Sequence, residues 1–443
     1  MAYWSALTMN NKTLIKRDIG YTFWVFAEQA AYLAVPRLVL FPVAAFIIGK
    51  QNFGVFSFAL SITLILGMQP QNGLGTGLLR HLSEYGDEQR AQFLGTAMKM
   101  CHPVMLTIVS AGLGAAFIAG FTNLAEWQML NCLIPLLILL YFENQFLLIL
   151  TETRFLRQFR QRAIWVTWRS VLGLIGGVVG ALIGDAIGLS WGFMLGNSVL
   201  YIFLRLRYKS WFQAPFNKEM ASVLKGSWLQ ITIAGILTVS LLHVNRIVLG
   251  MYHSYDAVAD FVAATTVIFL YLTPSYCYGV LLLSMLSQYS SINQLSKRGK
   301  TYIAVILLFG VVVLPVLMFL TGSVVTRFMF PQFGEESVNL LRILIWIIPS
   351  ETIAALTRPF IYKFAPIKVI PIINALSFII ILILAFLLIP TYASKGAAWG
   401  YVLGNALTAL IASLVCLQLF FYANKKKLGA GTPIYRGAFE MRM

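Results

Sequence analysis

Residues 191–198 read WGFMLGNS, and residues 399–406 read WGYVLGNA. The phrase Trp-Gly-aromatic-aliphatic-Leu-Gly-Asn-small therefore recurs at an offset of 208 in a chain of 443 residues. Each copy sits in an apolar run and holds a Gly-x-x-x-Gly pair, Gly192/Gly196 and Gly400/Gly404. In lipid that spacing lets two helices approach closely. Trp191 and Trp399 are expected at the outer membrane interface, where indoles prefer to sit. Asn197 and Asn405 are expected to bond across helices.

Other pairs keep the same step. Glu143 in LYFENQF and Glu351 in IPSETIA also differ by 208, while Pro70/Pro274 and Tyr85/Tyr289 differ by 204. Arg37 in PRLVL and Arg246 in NRIVL hold comparable places. Several matches in chain order indicate a duplication, with small changes of offset from loop insertions.

Composition names the solvent. The chain is 59% hydrophobic and 11% charged, with a mean hydropathy of +0.79. Soluble domains carry roughly 25% charged residues, so this balance points to a membrane. The apolar runs are 20–48, 53–79, 93–119, 128–151, 163–183, 188–206, 226–250, 258–286, 302–322, 338–361, 369–389 and 397–421. Each is long enough to cross ~30 Å of hydrocarbon as a helix. The expected fold is all-α: about twelve transmembrane helices in two six-helix bundles forming a V-shaped transporter. Its expected parts are an N-terminal bundle (1–206), a cytoplasmic linker (207–225), a C-terminal bundle (226–421) and a cytoplasmic tail (422–443). No link exceeds about 20 residues, which leaves no room for an extramembrane catalytic domain.

Charge sets the orientation. Alternate segments beginning with 1–19 hold 24 of the 33 Lys and Arg, whereas the intervening links hold only Lys50, Arg327 and Lys395. The positive-inside rule then places both termini in the cytoplasm. Topology and headgroup attraction account for the net charge of +17 without nucleic acid. Cys101, Cys132, Cys277 and Cys416 lack paired spacing, and the four histidines form no ligand cluster, so no metal or disulfide is expected. GLGTGLL (73–79) has neither a preceding strand nor a Walker lysine, which sets aside a nucleotide site.

Ionisable residues inside spans cost about 2.5–3.5 kcal/mol each on insertion scales, so they normally face a bundle interior or a water-filled cavity. Arg37, Lys99, Arg169, Arg246, Arg342 and Arg358 supply six cations; Glu28, Glu143 and Glu351 supply three anions. The excess favours an anionic ligand. Arginine suits one, because it stays charged and binds phosphate bidentately. The substrate-binding candidates are Arg37, Lys99, Arg169 and Arg246, with His243 one turn before Arg246. Glu28, Glu143 and Glu351 are candidates for coupling to H+ or Na+, and equally for structural pairing with the arginines. No other cofactor is expected.

IGKQNFGVFSFALS with NGLGTGLLRHL, NRIVLGMYHSYDAVADF, and the run from FPQFGEESVNLLRIL through LIPTYASKGAAWGYVLGNA resemble polysaccharide (O-antigen, Wzx-type) flippases. These belong to the multidrug/oligosaccharidyl-lipid/polysaccharide (MOP) superfamily. The resemblance implies a bacterial inner-membrane protein moving undecaprenyl-pyrophosphate-linked glycan from the cytoplasmic to the periplasmic leaflet. The repeat and the excess of cations lead to the expectation of alternating access through a cationic cavity between the halves; a polysaccharide polymerase and a chain-length regulator are the expected partners beside the membrane lipids. Members often carry an acid before the basic residue of the seventh span, where this chain has Asn245 before Arg246. Moving two negative charges outward gains about 4.6 kcal/mol per 100 mV. A drug/cation antiporter would need an acid-dominated cavity. A membrane glycan polymerase or glycosyltransferase would need a sizeable outer loop.

Overall fold

The computed structural model describes residues 20, 23–67, 73–75, 77–78, 81–82, 85–122, 126–156, 158–286, 297–366 and 368–428. The basic N-terminal segment, Pro70, Tyr289 and the tail beyond Leu428, all used above, lie outside the described residues. Every regular element among those described is helical, as backbone in lipid must satisfy its own hydrogen bonds. In chain order they are α1 (Phe23–Gly67), α2 (Asp87–Phe121), α3 (Trp127–Phe155), α4 (Phe159–Arg207), the short α5 (Lys209–Gln213), α6 (Lys218–Tyr252) and α7 (Tyr255–Leu286). There follow α8 (Lys297–Leu308), α9 (Leu314–Met329), α10 (Gly334–Leu344), α11 (Ile347–Phe364) and α12 (Val369–Leu428).

Among the described residues, seven stretches are long and apolar enough to cross a membrane, or up to nine if each of two bent pairs is one span. That is fewer than the twelve spans read from the sequence, and the links explain why. α1 breaks only at Gly49 (φ 78°), α4 at Gly184–Asp185, and α12 at Ala393. Where the sequence suggested short polar loops, the chain turns on one or two residues and helix resumes at once.

Contacts divide the chain into two compact units: residues 1–48 with 74–226, and residues 49–73 with 227–443. The sequence reading put the second span in the first bundle; its described residues Phe53–Gly67 fall in the second unit instead. The arm of α1 after Gly49 lies so close to α7 that a Cβ at Gly54 would fall 2.0 Å from the Tyr255 carbonyl oxygen. Residues 207–225, expected as a cytoplasmic linker, fall in the first unit. Trp211 of α5 is buried and stacks on Tyr208 at 4.1 Å. A Cβ at Gly95 of α2 would meet the Trp211 carbonyl at 2.3 Å. The aromatic residues of RYKSWF thus anchor the segment on α2.

Within α1, residues Ala30–Leu40 wind as a π-helix containing Pro36. The Phe41 N–H donates to the Pro36 carbonyl, a five-residue step. Proline has no N–H to give and its ring crowds the preceding turn, so a wider turn here follows from local chemistry.

Candidate functional site

In the first unit the buried charges gather where α1, α3 and α4 meet. Glu28 and Tyr32 are four apart on α1, and Arg162 and Arg169 are seven apart on α4, so each pair shares one helix face. Arg162 Nε donates to Glu28 Oε1 at 2.7 Å, and its Nη1 donates to the Leu150 carbonyl at 2.7 Å. Arg169, only 9% exposed, forms an ion pair with Glu143 of α3. Its guanidinium lies 5.6 Å from the Tyr32 ring centre and 5.4 Å from that of Phe146, within cation–π range. Arg37 follows Tyr32 by five residues in the π-helical stretch and acts electrostatically on the Tyr32 hydroxyl, as do Glu143, Arg169 and Arg162. The cluster sets three guanidiniums, of Arg37, Arg162 and Arg169, against the two carboxylates of Glu28 and Glu143.

Helix α3 contributes more than Glu143. Asn144 and Gln145 are also buried, giving three consecutive polar residues in an apolar span. Asn144 Nδ2 donates back to the Leu140 carbonyl at 2.9 Å. Both amide atoms of Gln145 lack a hydrogen-bond partner. An unsatisfied buried amide costs about 1–3 kcal/mol, so this helix carries polar groups that packing alone does not justify.

The second unit has the same imbalance. Lys50 Nζ pairs with Asp260 Oδ2 at 2.7 Å, and Ser337 Oγ donates to Asp260 Oδ1 at 3.0 Å. Arg246 Nη2 donates to Thr265 Oγ1 at 3.0 Å, tying α6 to α7. His243 Nδ1 lies 3.1 Å from Ser61 Oγ. Asn245, fully buried, has neither amide atom hydrogen-bonded. Arg358 faces Glu351 along α11 at 3.6 Å. Lys50, Arg246 and Arg358 thus stand against Asp260 and Glu351.

The sequence candidates therefore separate. Arg37, Arg169, Glu28 and Glu143 come together in the first unit. Arg246, His243 and Glu351 are buried in the second. Lys99 joins neither cluster: it is exposed, and its Nζ donates to the Ala214 carbonyl at 2.5 Å. Asn197 and Asn405 do not bond across helices as expected. Their Nδ2 atoms donate to Phe193 and Tyr401 carbonyls four residues back, the local bond open to a short polar side chain inside a helix.

Three participants escaped the sequence reading. In the sequence Arg162 and Lys50 read as link charges that set topology. Asp260 lies three residues into the apolar run 258–286, and that position was itself a signal.

The family model described as "Polysaccharide biosynthesis protein" matches residues 29–275, more than half of the chain. No curated protein sequence matches. Among solved structures the chain is similar to the lipid II flippase MurJ in an inward closed conformation: 14% identity, 94% of this chain and 93% of that one, TM-score 0.69. An inward-facing multidrug resistance MATE family transporter of the MOP superfamily matches at 14% identity, covering 92% and 95%, TM-score 0.63. A MOP superfamily transporter from Pyrococcus furiosus Vc1, described by the reverse polarity of its binding pocket, matches at 13% identity over 92% and 96%, TM-score 0.64. At such identities the likeness is one of fold.

Proposed function

The chain belongs to the polysaccharide biosynthesis protein family and has the fold of MOP superfamily transporters, and on that premise we propose that it flips an undecaprenyl-pyrophosphate-linked glycan across the bacterial inner membrane. The direction of transport is from the cytoplasmic to the periplasmic leaflet, by alternating access. The observation that carries this reading is the cationic excess repeated in both units, with Arg37, Arg162 and Arg169 in one and Lys50, Arg246 and Arg358 in the other. An interior holding more cationic side chains than carboxylates favours a ligand that brings negative charge. Pyrophosphate brings two, and arginine binds it through paired N–H donors.

Each residue then has a task. Arg169 is held between Glu143 and the rings of Tyr32 and Phe146, so its guanidinium is positioned before substrate arrives. Glu143 is the coupling candidate of the first unit, because a carboxylate that loses its arginine to a phosphate becomes a place for a proton or Na+. Glu351 has the same role opposite Arg358.

The test is translocation of lipid-linked oligosaccharide in proteoliposomes. Arg37→Ala and Arg246→Ala are each expected to lower the initial rate at least tenfold. Unchanged rates in both would remove the cationic-site reading. Export of cationic dyes by the wild-type chain, with no glycan translocation, would favour the antiporter instead.

A further inference from the structure

In the first unit, a string of polar side chains that neither charge cluster uses closes a ring at the end where α5 lies. Lys99 and His102 are three apart on α2 and share one helix face. Lys99 Nζ donates to the Ala214 carbonyl, just past α5, at 2.5 Å. His102 Nδ1 lies 2.8 Å from the Tyr141 hydroxyl of α3. That hydroxyl neighbours the hydroxyl of Tyr201 on α4, which in turn neighbours the guanidinium of Arg205, one turn further on. Arg205 lies 5.5 Å from the ring centre of Phe212 in α5, and the circuit is complete.

The ring has the chemistry of an anion site. Lys99, His102 and Arg205 are exposed, and none of them pairs with a carboxylate among the described residues. No carboxylate acts on the Tyr141 or Tyr201 hydroxyl either. Tyr201 is buried, and its hydroxyl has no hydrogen-bond partner although Tyr141 and Arg205 flank it. An unbonded buried hydroxyl is costly, and an outside oxygen held by Arg205 would satisfy it. His102 engages the protein through Nδ1, which leaves Nε2 to donate to a ligand. An ammonium, an imidazole, a guanidinium and a phenol thus offer donors around one place.

The flanks of the ring say where the anion comes from. Leu106 follows His102 by four residues on α2, and Ile202 precedes Arg205 by three on α4. Both are exposed, and both lie one turn farther from α5 than the polar residue whose face they share. Donors near the helix ends, with apolar side chains one turn deeper, match a headgroup and the first methylenes of its acyl chains. The bias of positive charge makes this the cytoplasmic end, and basic pockets between transmembrane helices on that side suit anionic headgroups. We infer that this ring binds the phosphodiester of an anionic phospholipid in the cytoplasmic leaflet, with Lys99, His102 and Arg205 on its oxygens and Tyr201 donating to one of them. A free phosphate would leave Leu106 and Ile202 without a role. A zwitterionic lipid would bring its own cation into a cationic ring. The transport reading uses none of these side chains, so the two stand or fall separately.

Native mass spectrometry of the full chain in detergent tests this by titration with phosphatidylglycerol, with phosphatidylcholine of the same acyl chains, and with glycerol 3-phosphate. The first phosphatidylglycerol is expected to bind about tenfold more tightly than either of the others. Lys99→Gln, His102→Gln and Arg205→Gln should each weaken it about fivefold, the worth of one basic side chain at an anionic membrane surface, and leave phosphatidylcholine unchanged. Tyr201→Phe should weaken it about threefold, as for one hydrogen bond. Arg160→Gln, which removes an exposed cation that lies over Trp24 outside the ring, should change nothing. If Arg205→Gln does not fold, Lys99→Gln and His102→Gln carry the test. Equal affinity for the two phospholipids, or phosphatidylglycerol binding indifferent to all three cation variants, overturns the inference. An equal loss in Arg160→Gln overturns it too, since net charge rather than this ring would then set the affinity. Glycerol 3-phosphate binding as tight as phosphatidylglycerol would make the ring a free-phosphate site and overturn the lipid assignment.

Discussion

The two copies of the Trp-Gly phrase end up in hairpins that turn alike and pack differently. In α4 the arms on either side of Gly184–Asp185 meet backbone to backbone. A Cβ at Gly180 would fall 2.0 Å from the Gly188 carbonyl oxygen, at Gly192 2.0 Å from that of Gly176, and at Gly196 2.2 Å from that of Leu172. Close to its turn α12 keeps a backbone contact, a Cβ at Gly396 falling 2.2 Å from the Leu388 carbonyl oxygen, but farther along the arm the corresponding Gly400 has ordinary room: its nearest neighbour is Asn245 Oδ1 at 3.6 Å, with the Leu384 backbone at 3.7 Å. Gly404 meets the Ile381 side chain instead of a carbonyl. The repeated glycines therefore serve a backbone contact in the first unit. In the second, the space beside Gly400 adjoins an unpartnered amide next to Arg246. The equivalent glutamates differ in the same sense. Glu143 is clamped by Arg169 from a neighbouring helix, whereas Glu351 faces Arg358 of its own helix at longer range. Duplication supplied one pattern, and each unit has put it to its own use.

The glutamates give the largest contrast. Glu143→Ala leaves Arg169 buried without its carboxylate, at a cost of about 3–5 kcal/mol. Glu143→Ala combined with Arg169→Met should recover most of that loss. Glu351→Ala removes a longer pair whose arginine is partly exposed, and after solvent screening the cost is about 1 kcal/mol or less. Chemical denaturation or thermal melting of the purified chain measures both. Equal costs at the two positions would erase the distinction between the units.

Next come the glycines at matching places. Gly192→Ala should destabilise by about 3 kcal/mol, at the upper end of overpacking, because a carbonyl of the facing helix cannot move aside as a side chain can. Gly400→Ala should stay within about 0.5 kcal/mol, as for a substitution that touches nothing closely. Folded yield and melting temperature of the two variants report this directly.

Much of this difference was hidden in the sequence, for physical reasons. The all-α membrane fold was legible because hydropathy and the 24-to-3 distribution of charge are properties of long segments. Gly192 and Gly400, by contrast, sit in almost identical octapeptides, and what distinguishes them is the partner helix: Gly176 in one case, Leu384 and Asn245 in the other. The site was legible in kind but not in membership. Arg169 and Glu143 stood out as charges inside apolar runs. Arg162 and Lys50 lie at run ends, where a topological role and a buried ion pair look alike in one dimension. Lys99 shows the converse, a charge inside a run whose long side chain reaches out to the Ala214 carbonyl. That residues 49–67 fall in the second unit turns on one residue, Gly49, that hydropathy does not register.

Gly404→Ala probes the intermediate case. The new Cβ would come 2.0 Å from Ile381 Cγ1, a side chain with room to adjust, so the expected cost is about 1–2 kcal/mol. Because the clash involves that side chain alone, Gly404→Ala and Ile381→Ala together should cost less than their sum. A non-additivity of about 1 kcal/mol in a double-mutant cycle is the signature. Strict additivity would mean that the helix backbones, not the side chain, set the spacing in α12 as they do in α4.

The smallest effect tests what the hairpins share. Asp185 turns α4 at φ 49°, ψ −136°, and Ala393 turns α12 at φ 48°, ψ −129°. Both values match the first central residue of a type II′ turn, a position that favours glycine. Neither copy uses it. A non-glycine residue held there costs on the order of 1–3 kcal/mol, while glycine forfeits about 0.4–1 kcal/mol by loosening the unfolded chain. Ala393→Gly should therefore gain about 1 kcal/mol, seen as a rise in melting temperature, and Asp185→Gly should gain about as much. Ala393→Val, whose branched Cβ tolerates positive φ least, should move the opposite way. A gain at one turn without the other would show that the two hairpins close by different means. Matching gains would show that the turn stayed common while the packing along the arms diverged, so that the second unit's open space beside Gly400 arose from its side chains rather than from a different path of the chain.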